Sequence, residues 1–216
     1  MPTLLLIRHG ENDYLGRKLA GRLPGVHLND KGRQQADQLV RALCLAPLKA
    51  IYSSPLERAV ETAQPLARVL GLDIQLRPDL MDLDYGKFQG RTFKQLRRTK
   101  LWKDVIGNPQ VVCFPQGESF IEAQQRVIAE MEAIAALHTD EELVACFTHA
   151  DVIRLAVAHY LDMPFNAYQR LMANPSSITV LVRTKERTSI PHINQVAGFE
   201  IKAPEKKEEK KGEKKE

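Results

Sequence analysis

Short apolar runs alternate with longer amphipathic segments along most of this chain of 216 residues. The runs have the length and continuous hydrophobicity of strands that are buried on both faces of a sheet. They lie at 3–7, 50–52, 143–147 and 178–182. The segments with apolar residues at helical spacing lie at 29–43, 54–70, 118–137 and 151–161. This order predicts an α/β fold with a mainly parallel sheet and helices on both of its faces.

The end of the chain has a different composition from the rest. Residues 201–216 contain seven lysines and five glutamates and almost no apolar side chains. Such a segment cannot bury enough apolar surface to offset the entropy lost on ordering. We therefore predict one domain at 1–200 and a disordered, charged C-terminal tail at 201–216. The tail supplies +2 of the net charge of +4, and the remaining charges form no basic stripe, which argues against nucleic-acid binding.

No apolar stretch approaches the ~20 residues that a membrane-spanning helix needs. The first residues also lack the basic and apolar regions of a signal peptide, so we expect a cytoplasmic protein without membrane contacts. Three cysteines, Cys44, Cys113 and Cys146, are an odd number and are predicted to be reduced thiols in buried or half-buried positions. The oligomeric state stays open, with a homodimer as one alternative.

Basic and imidazole side chains stand where three of the predicted strands end. Arg8 and His9 follow the first strand, Arg58 lies one helical turn after the second, and His149 follows the third. Ligands of open α/β sheets bind beyond the carboxyl ends of the strands, so these side chains are expected to converge. Burying them unpaired would be costly, and a bound dianion removes that cost. Gly10 is expected to let the backbone turn sharply next to the anion.

Five segments of the sequence carry a resemblance to a known family. They read IRHGE, SSPLERAVETA, LMDLDYGKFQG, FPQGES and FTHADVIR, in this order. Together they resemble the histidine phosphatase superfamily, in its phosphoglycerate-mutase-like branch, over residues 3–182. The resemblance implies a phosphoglycerate-mutase-like fold, a small phosphate ester as substrate, and catalysis without a metal ion or cofactor.

By this resemblance, His9 is the nucleophile that is transiently phosphorylated. A neutral imidazole can attack phosphorus through one nitrogen if the other holds its proton in a fixed hydrogen bond. Arg8 and Arg58 correspond to the arginines that bind the phosphoryl oxygens through planar, permanently charged donors. His149 corresponds to the second histidine of the family and is expected to be protonated. Ala150 follows at a helix start, where a free backbone N–H can also bind phosphate.

The general acid is expected in the segment LMDLDYGKFQG. Asp82 stands where close relatives have glutamate, and more distant members of the superfamily use an aspartate for this task. Its side chain is one methylene shorter than that of glutamate, so Asp84 remains the second candidate. The alternative role of Asp84 is to fix the loop before Gly86.

The sequence departs from the family pattern just after the nucleophile. The family often has threonine where this chain has Asn12, and an asparagine that contacts phosphate where this chain has Leu15. Either Asn12 takes over the contact or one donor is missing. Gly21 and Arg22 are expected to line the mouth of the site. Arg154 is expected to make a structural ion pair.

These residues predict a phosphomonoester hydrolase that acts through a phosphohistidine. Two alternatives are a phosphoglycerate mutase-type phosphoryl transfer and a non-catalytic domain of the same fold that binds a phosphate ligand. Family mutases have a longer insertion before the second histidine, so the short segment here favours hydrolysis. A metal site formed by His9, Asp82 and His149 is disfavoured because the flanking arginines would repel a cation.

The leaving group of the substrate is not encoded in any of these motifs. The segment 88–119 is expected to hold most of the information on it. Its large apolar residues are predicted either to cap the site or to pack as core. They are Phe93, Leu96, Leu101, Trp102 and Phe114.

Overall fold

The computed structural model describes residues 2–183 and 187–196. Six strands form one sheet in this part of the chain. They are β1 (Thr3–Arg8), β2 (Leu48–Ser53), β3 (Ile74–Leu76), β4 (Leu143–Thr148), β5 (Ile178–Arg183) and β6 (Thr188–Gln195). The predicted tail at 201–216 and the boundary at residue 200 lie outside the described residues.

The strand order is β3-β2-β4-β1-β5-β6. The first four strands in this order run parallel to one another, β5 runs antiparallel to β1, and β6 runs antiparallel to β5. The predicted mainly parallel sheet is therefore confirmed. Arg8 of β1 pairs with Thr148 of β4, so the residues that follow these two strands emerge side by side.

Six α-helices surround the sheet in the described part of the chain. They are α1 (Asp30–Leu43), α2 (Glu57–Leu70), α3 (Phe93–Leu96), α4 (Lys100–Gly107), α5 (Phe120–Ala136) and α6 (Ala150–Tyr160). Four of them match predicted helices, whereas the short α3 and α4 were not predicted. None of the helices in the two described ranges has the length and hydrophobicity to cross a bilayer.

Local signals at the helix ends explain why the long helices begin and end where they do. The Asn29 side chain accepts a hydrogen bond from the Gly32 N–H at the start of α1. Ser119 and Glu122 form a reciprocal capping box at the start of α5. Gly71 ends α2 with φ +65°, a left-handed conformation that glycine adopts without strain.

The helices lie on both faces of the sheet, as predicted. Alternate strand residues point to opposite faces, so each buried strand offers apolar side chains to the helices on both sides. Leu5 and Ile7 of β1 pack with apolar residues of α1 and α2. Leu4 and Leu6 pack with residues of α5 and α6 on the other face. All four side chains are buried, and burial of each stabilises the fold by about 1.5–3 kcal/mol.

A third apolar cluster joins the segment 93–114 to α5 and α6. Leu96 and Phe114 are fully buried in it, and the Phe114 ring lies 5.5 Å from that of Phe120. These two residues therefore belong to the core, which is one of the two roles predicted for this segment. Of the cysteines, Cys146 is buried as expected, but Cys113 is exposed because its side chain points away from the core that buries its neighbours Val112 and Phe114.

Candidate active site

A pocket of about 400 Å³ opens where β1 and β4 end and α6 begins. Seven of the predicted site residues line it: Arg8, His9, Asn12, Gly21, Arg58, Asp82 and Ala150. The eighth, His149, is fully buried beside it, with its ring centroid 5.2 Å from that of His9. The tertiary structure thus brings these eight residues together, whereas Arg22 and Asp84 do not line the pocket.

His9 has the geometry of a nucleophile. Its Nδ1 lies 2.7 Å from the Gly10 carbonyl oxygen, to which it donates. Burial, and then the charges of Arg58 and Arg8, hold the pKa of His9 well below its ordinary value. The ring is therefore neutral, its proton is held on Nδ1, and Nε2 carries a free lone pair.

The loop that carries His9 is anchored to α2. The Gly10 N–H donates to Thr62 Oγ1 at 2.9 Å, and this hydroxyl in turn donates to the Arg58 carbonyl oxygen at 2.6 Å. A Cβ at Gly10 would lie 2.7 Å from the Gly32 carbonyl oxygen. The φ of Gly10 is outside the left-handed region. Glycine is therefore needed here for close backbone packing and not for a left-handed conformation.

Arg58 supplies hydrogen-bond donors that the protein does not use. The side chain is fully buried, and its Nη2 donates to the Gly21 carbonyl oxygen at 2.7 Å and to Asp82 Oδ2 at 3.3 Å. Arg58 Nε and Nη1, and Arg8 Nε, are buried and have no hydrogen-bond partner among the described residues. Buried donors without acceptors are costly, so the arrangement is that of a binding site for anionic oxygens.

Arg8 stays positively charged although it is largely buried. Burial, and then repulsion by Arg154, lower the pKa of Arg8 to about 10, which leaves the guanidinium protonated at neutral pH. Its Nη1 donates to the Ala173 carbonyl oxygen at 2.6 Å, which fixes the side chain. Within residues 2–183 and 187–196, no group of three or more histidine, cysteine or carboxylate side chains is placed to hold a metal ion.

His149 is neutral, not protonated. Burial, followed by the charge of Arg58, holds the pKa of His149 well below its ordinary value. Arg58 Nη2 donates to Nδ1 at 3.2 Å, so the ring proton is on Nε2, which donates to Ser54 Oγ at 2.9 Å. The prediction of a protonated His149 concerns the site with a phosphoryl group bound, and it stays a prediction. The sequence did not show that both arginines approach the same imidazole.

Asp82 is a carboxyl group at the pocket whose protonation can change near neutral pH. Its Oδ1 accepts from the Leu83 N–H at 3.0 Å, and its Oδ2 faces Arg58. Burial is the largest cause that raises the pKa of Asp82 to about 6, with Asp151 adding to it and Arg58 opposing it. A carboxyl group with this pKa can be protonated in one step and ionised in the next near neutral pH.

Asp84 lies outside the pocket lining and supports the loop of Asp82. It accepts from the Gly86 N–H at 2.9 Å, in agreement with the loop-fixing alternative. Glu118, from the segment FPQGES, accepts from the Asp84 N–H at 2.9 Å and from Arg22 Nη2 at 3.1 Å. Arg22 Nε donates to the Asp82 carbonyl oxygen at 2.9 Å. Arg22 therefore positions the acid loop and does not line the mouth, contrary to the prediction.

The two departures after the nucleophile have different consequences. Asn12 is buried at the pocket, and its Oδ1 accepts from the Tyr14 N–H at 3.0 Å, which leaves the amide nitrogen to donate to a ligand. Leu15 lines the same pocket as an apolar group that is 38% exposed. Asn12 is thus the residue available to replace the missing donor.

Arg154 of α6 was expected to make a structural ion pair only, but it also lies at the pocket. Ala150 is the first residue of the helix, where backbone N–H groups have no partner within the helix. Asp151 accepts from Tyr85 Oη at 2.6 Å and from Arg154 Nη1 at 3.0 Å. Arg154 makes the predicted ion pair, and it also lines the pocket.

Replacing Arg58 by lysine should lower kcat/KM for phosphate esters by about 10²–10³, because lysine keeps the charge but loses the planar set of donors. Arg68→Lys, an exposed position on the same helix, is the matched control and should leave kcat/KM unchanged. Steady-state kinetics on both variants, with melting curves to confirm folding, makes the measurement. An Arg58→Lys enzyme as active as the control would contradict the assignment of Arg58 to the phosphoryl group.

Comparisons with known proteins agree with this geometry. The model of the histidine phosphatase superfamily (branch 1) matches residues 4–196. A 2,3-bisphosphoglycerate-dependent phosphoglycerate mutase of Thermoplasma acidophilum is 30% identical over 84% of this chain and 87% of its own. Phosphoserine phosphatase 1 of Hydrogenobacter thermophilus is 25% identical over 90% and 92%. The structure of Bacillus stearothermophilus YhfR superposes with a TM-score of 0.85 at 26% identity, covering 91% of this chain and 98% of its own. The chain belongs to the histidine phosphatase superfamily, branch 1.

Proposed function

We propose that this protein is a phosphomonoester hydrolase that acts through a phosphohistidine at His9. The observation that carries the proposal is the neutral imidazole, whose Nδ1 proton is held by the Gly10 carbonyl oxygen at 2.7 Å. Its free Nε2 lies in a pocket with buried guanidinium donors that have no partner among the described residues. A nucleophile beside a site for anionic oxygens is the arrangement that attack on a phosphoryl group requires.

In the first step, His9 Nε2 attacks phosphorus and the bond from phosphorus to the leaving oxygen breaks. Asp82 donates its proton to that oxygen, for which a pKa of about 6 is suitable. Arg8 and Arg58 bind the phosphoryl oxygens and offset their charge in the transition state. These guanidinium groups supply the positive charge, so the proposed mechanism uses no metal ion or cofactor.

In the second step, the ionised Asp82 accepts a proton from a water molecule as its oxygen attacks phosphorus. The bond between phosphorus and Nε2 breaks, inorganic phosphate forms, and His9 returns to its neutral state. His149 donates to Ser54 and accepts from Arg58, so in this proposal it holds the guanidinium in place. A phosphoryl dianion next to His149 would also raise its pKa.

Relatives of this chain include both a mutase and a phosphatase, so the likeness alone does not distinguish these reactions. A mutase has to keep water away from its phosphorylated histidine. Here several residues at the pocket are open to solvent, among them Leu15 at 38% and Ile106 at 63% exposure. The Asp82 side chain, at 15% exposure, is also within reach of water. This access supports hydrolysis.

The two reactions are separated by incubating the enzyme with 3-phosphoglycerate and a trace of 2,3-bisphosphoglycerate in the presence of EDTA. Because water reaches the pocket, we expect phosphate release from a panel of esters to exceed the formation of 2-phosphoglycerate by at least about tenfold. His9→Ala is the control and should remove both activities. Formation of 2-phosphoglycerate that outpaces hydrolysis of every ester would make the mutase assignment correct.

A further inference from the structure

The pocket has a second lining that the proposed chemistry does not use. It consists of apolar and aromatic side chains from α3, α4, the start of α5 and the turn Phe165–Arg170. We call these six residues the apolar wall: Phe93, Trp102, Val105, Ile106, Phe120 and Tyr168. Aromatic and apolar side chains with few polar groups are typical of sites for organic ligands.

Contacts between separate elements hold the apolar wall in place. The Phe93 and Trp102 rings pack edge to face with centroids 5.9 Å apart. Gln169 Nε2 donates to the Val105 carbonyl oxygen, which ties the turn to α4. Leu96 and Phe114 are buried beneath and do not line the pocket. The large residues of this segment therefore divide into core residues and residues that face the ligand space.

None of the six residues of the apolar wall is charged. The rest of the lining contains four cationic and two acidic side chains: Arg8, Lys18, Arg58, Arg154, Asp82 and Asp151. Their sum is +2 with Asp82 ionised and +3 with Asp82 protonated, which offsets one phosphoryl dianion. Arg154, the cation added by α6, is already paired with Asp151 at 3.0 Å. A second anionic group that lay against the wall would find no cation among its residues.

We propose that the substrate is a monoester of an uncharged, predominantly apolar alcohol, whose alkyl or ring-bearing body lies against the apolar wall. This inference rests on the proposed function, since it names the leaving group of the same reaction. An uncharged leaving group would distinguish this chain from enzymes whose substrates carry a carboxylate next to the phosphate. A pocket of about 400 Å³ has room for a phosphoryl group and a medium-sized organic group.

The test compares ethyl, butyl and hexyl phosphate, whose leaving groups have similar acidity but different apolar area. We expect kcat/KM to rise about fourfold for each methylene that contacts the wall. O-phosphoserine and 3-phosphoglycerate should react at least about 10²-fold more slowly than hexyl phosphate, because their carboxylate would have to lie against the uncharged wall. Equal kcat/KM along the alkyl series, or faster turnover of the carboxylate esters, would overturn the inference.

Two matched variants test whether the dependence of kcat/KM on chain length comes from the apolar wall. Ile106 and Val111 are similar apolar residues, 63% and 68% exposed, but Ile106 lines the pocket and Val111 does not. Ile106→Ser should lower the ratio of kcat/KM for hexyl over ethyl phosphate by about three- to tenfold. Val111→Ser should leave that ratio unchanged. The same change in both variants, or in neither, would contradict a leaving-group site at the wall.

Binding of the corresponding alkylphosphonates, measured by calorimetry, separates this inference from the proposed function. These compounds are not hydrolysed, so the dependence of their affinity on chain length reports on the wall without any chemical step. Affinity that rises with chain length, without hydrolysis of any ester, would support the wall and reject the hydrolase. Hydrolysis of the esters, with rates and affinities independent of chain length, would support the hydrolase and reject the apolar leaving group.

Discussion

Replacing His9 by alanine should lower turnover of phosphate esters by at least about 10⁴, the scale of loss seen when a catalytic nucleophile is removed. The remaining groups can still bind phosphate, but no other imidazole in the described part of the chain faces the pocket with a free nitrogen. His149 uses both ring nitrogens, one with Arg58 and one with Ser54. His192→Ala, at an exposed position on β6, is the control and should retain full activity.

The readout is the phosphorylated intermediate itself. Rapid quench with a labelled ester should trap a phosphoenzyme that is labile in acid and stable in base, as expected of a phosphorus–nitrogen bond. His9→Ala should abolish it. Ser54 is the serine to check, because its hydroxyl lies 2.9 Å from His149 Nε2. Label on a serine, together with its loss in Ser54→Ala, would reject the phosphohistidine mechanism.

Replacing Asp82 by asparagine should slow the hydrolysis of alkyl phosphates by about 10²–10⁴, but that of p-nitrophenyl phosphate by less than about tenfold. The reason is the leaving group, because an alkoxide needs a proton as it departs and p-nitrophenolate does not. Asp84→Asn is the matched control, since it removes a carboxylate two residues away that binds the Gly86 N–H. We expect it to act equally on both substrates. Equal losses for Asp82→Asn would remove this residue from the role of general acid.

The pH dependence gives an independent measurement of the same group. The first step needs Asp82 protonated, so kcat/KM of the wild type for alkyl phosphates should fall as the pH rises through about 6. Asp82→Asn cannot ionise, and its kcat/KM should lack that decrease. Ionisation of the substrate is common to both enzymes, so the ratio of their rates isolates Asp82. A ratio that is constant from pH 5 to 8 would contradict the assignment.

The stability of the wild type should also decrease as the pH rises. The raised pKa means that folding favours the protonated carboxyl, so this contribution is complete below the unfolded-state pKa of ~4 and is lost as the pH rises through about 6. Asparagine resembles the neutral form at every pH. The melting temperature of Asp82→Asn should therefore not fall below that of the wild type at pH 8, which also shows that its loss of activity is not a loss of folding.

The long elements of the fold were predictable because each carries its own periodicity. Runs such as 143–147 are apolar throughout, and helices such as α5 have an apolar stripe and a capping box. The short helices α3 and α4, four and eight residues long, were not predicted. Segments of this length are marginal alone and depend on tertiary packing. Likewise, the direction of β5 is set by its partner β1 and leaves no local signal.

The sequence by itself determined the order of the elements and the cationic residues that follow the strands, because both are properties of neighbouring residues. Only the tertiary structure decided the protonation states of His9, His149 and Asp82, since these depend on burial and on charges brought from distant positions. It also decided that Phe93 lines the pocket whereas Phe114 is core. Both are phenylalanines in one segment, and what distinguishes them is which surfaces the folded chain places against each ring.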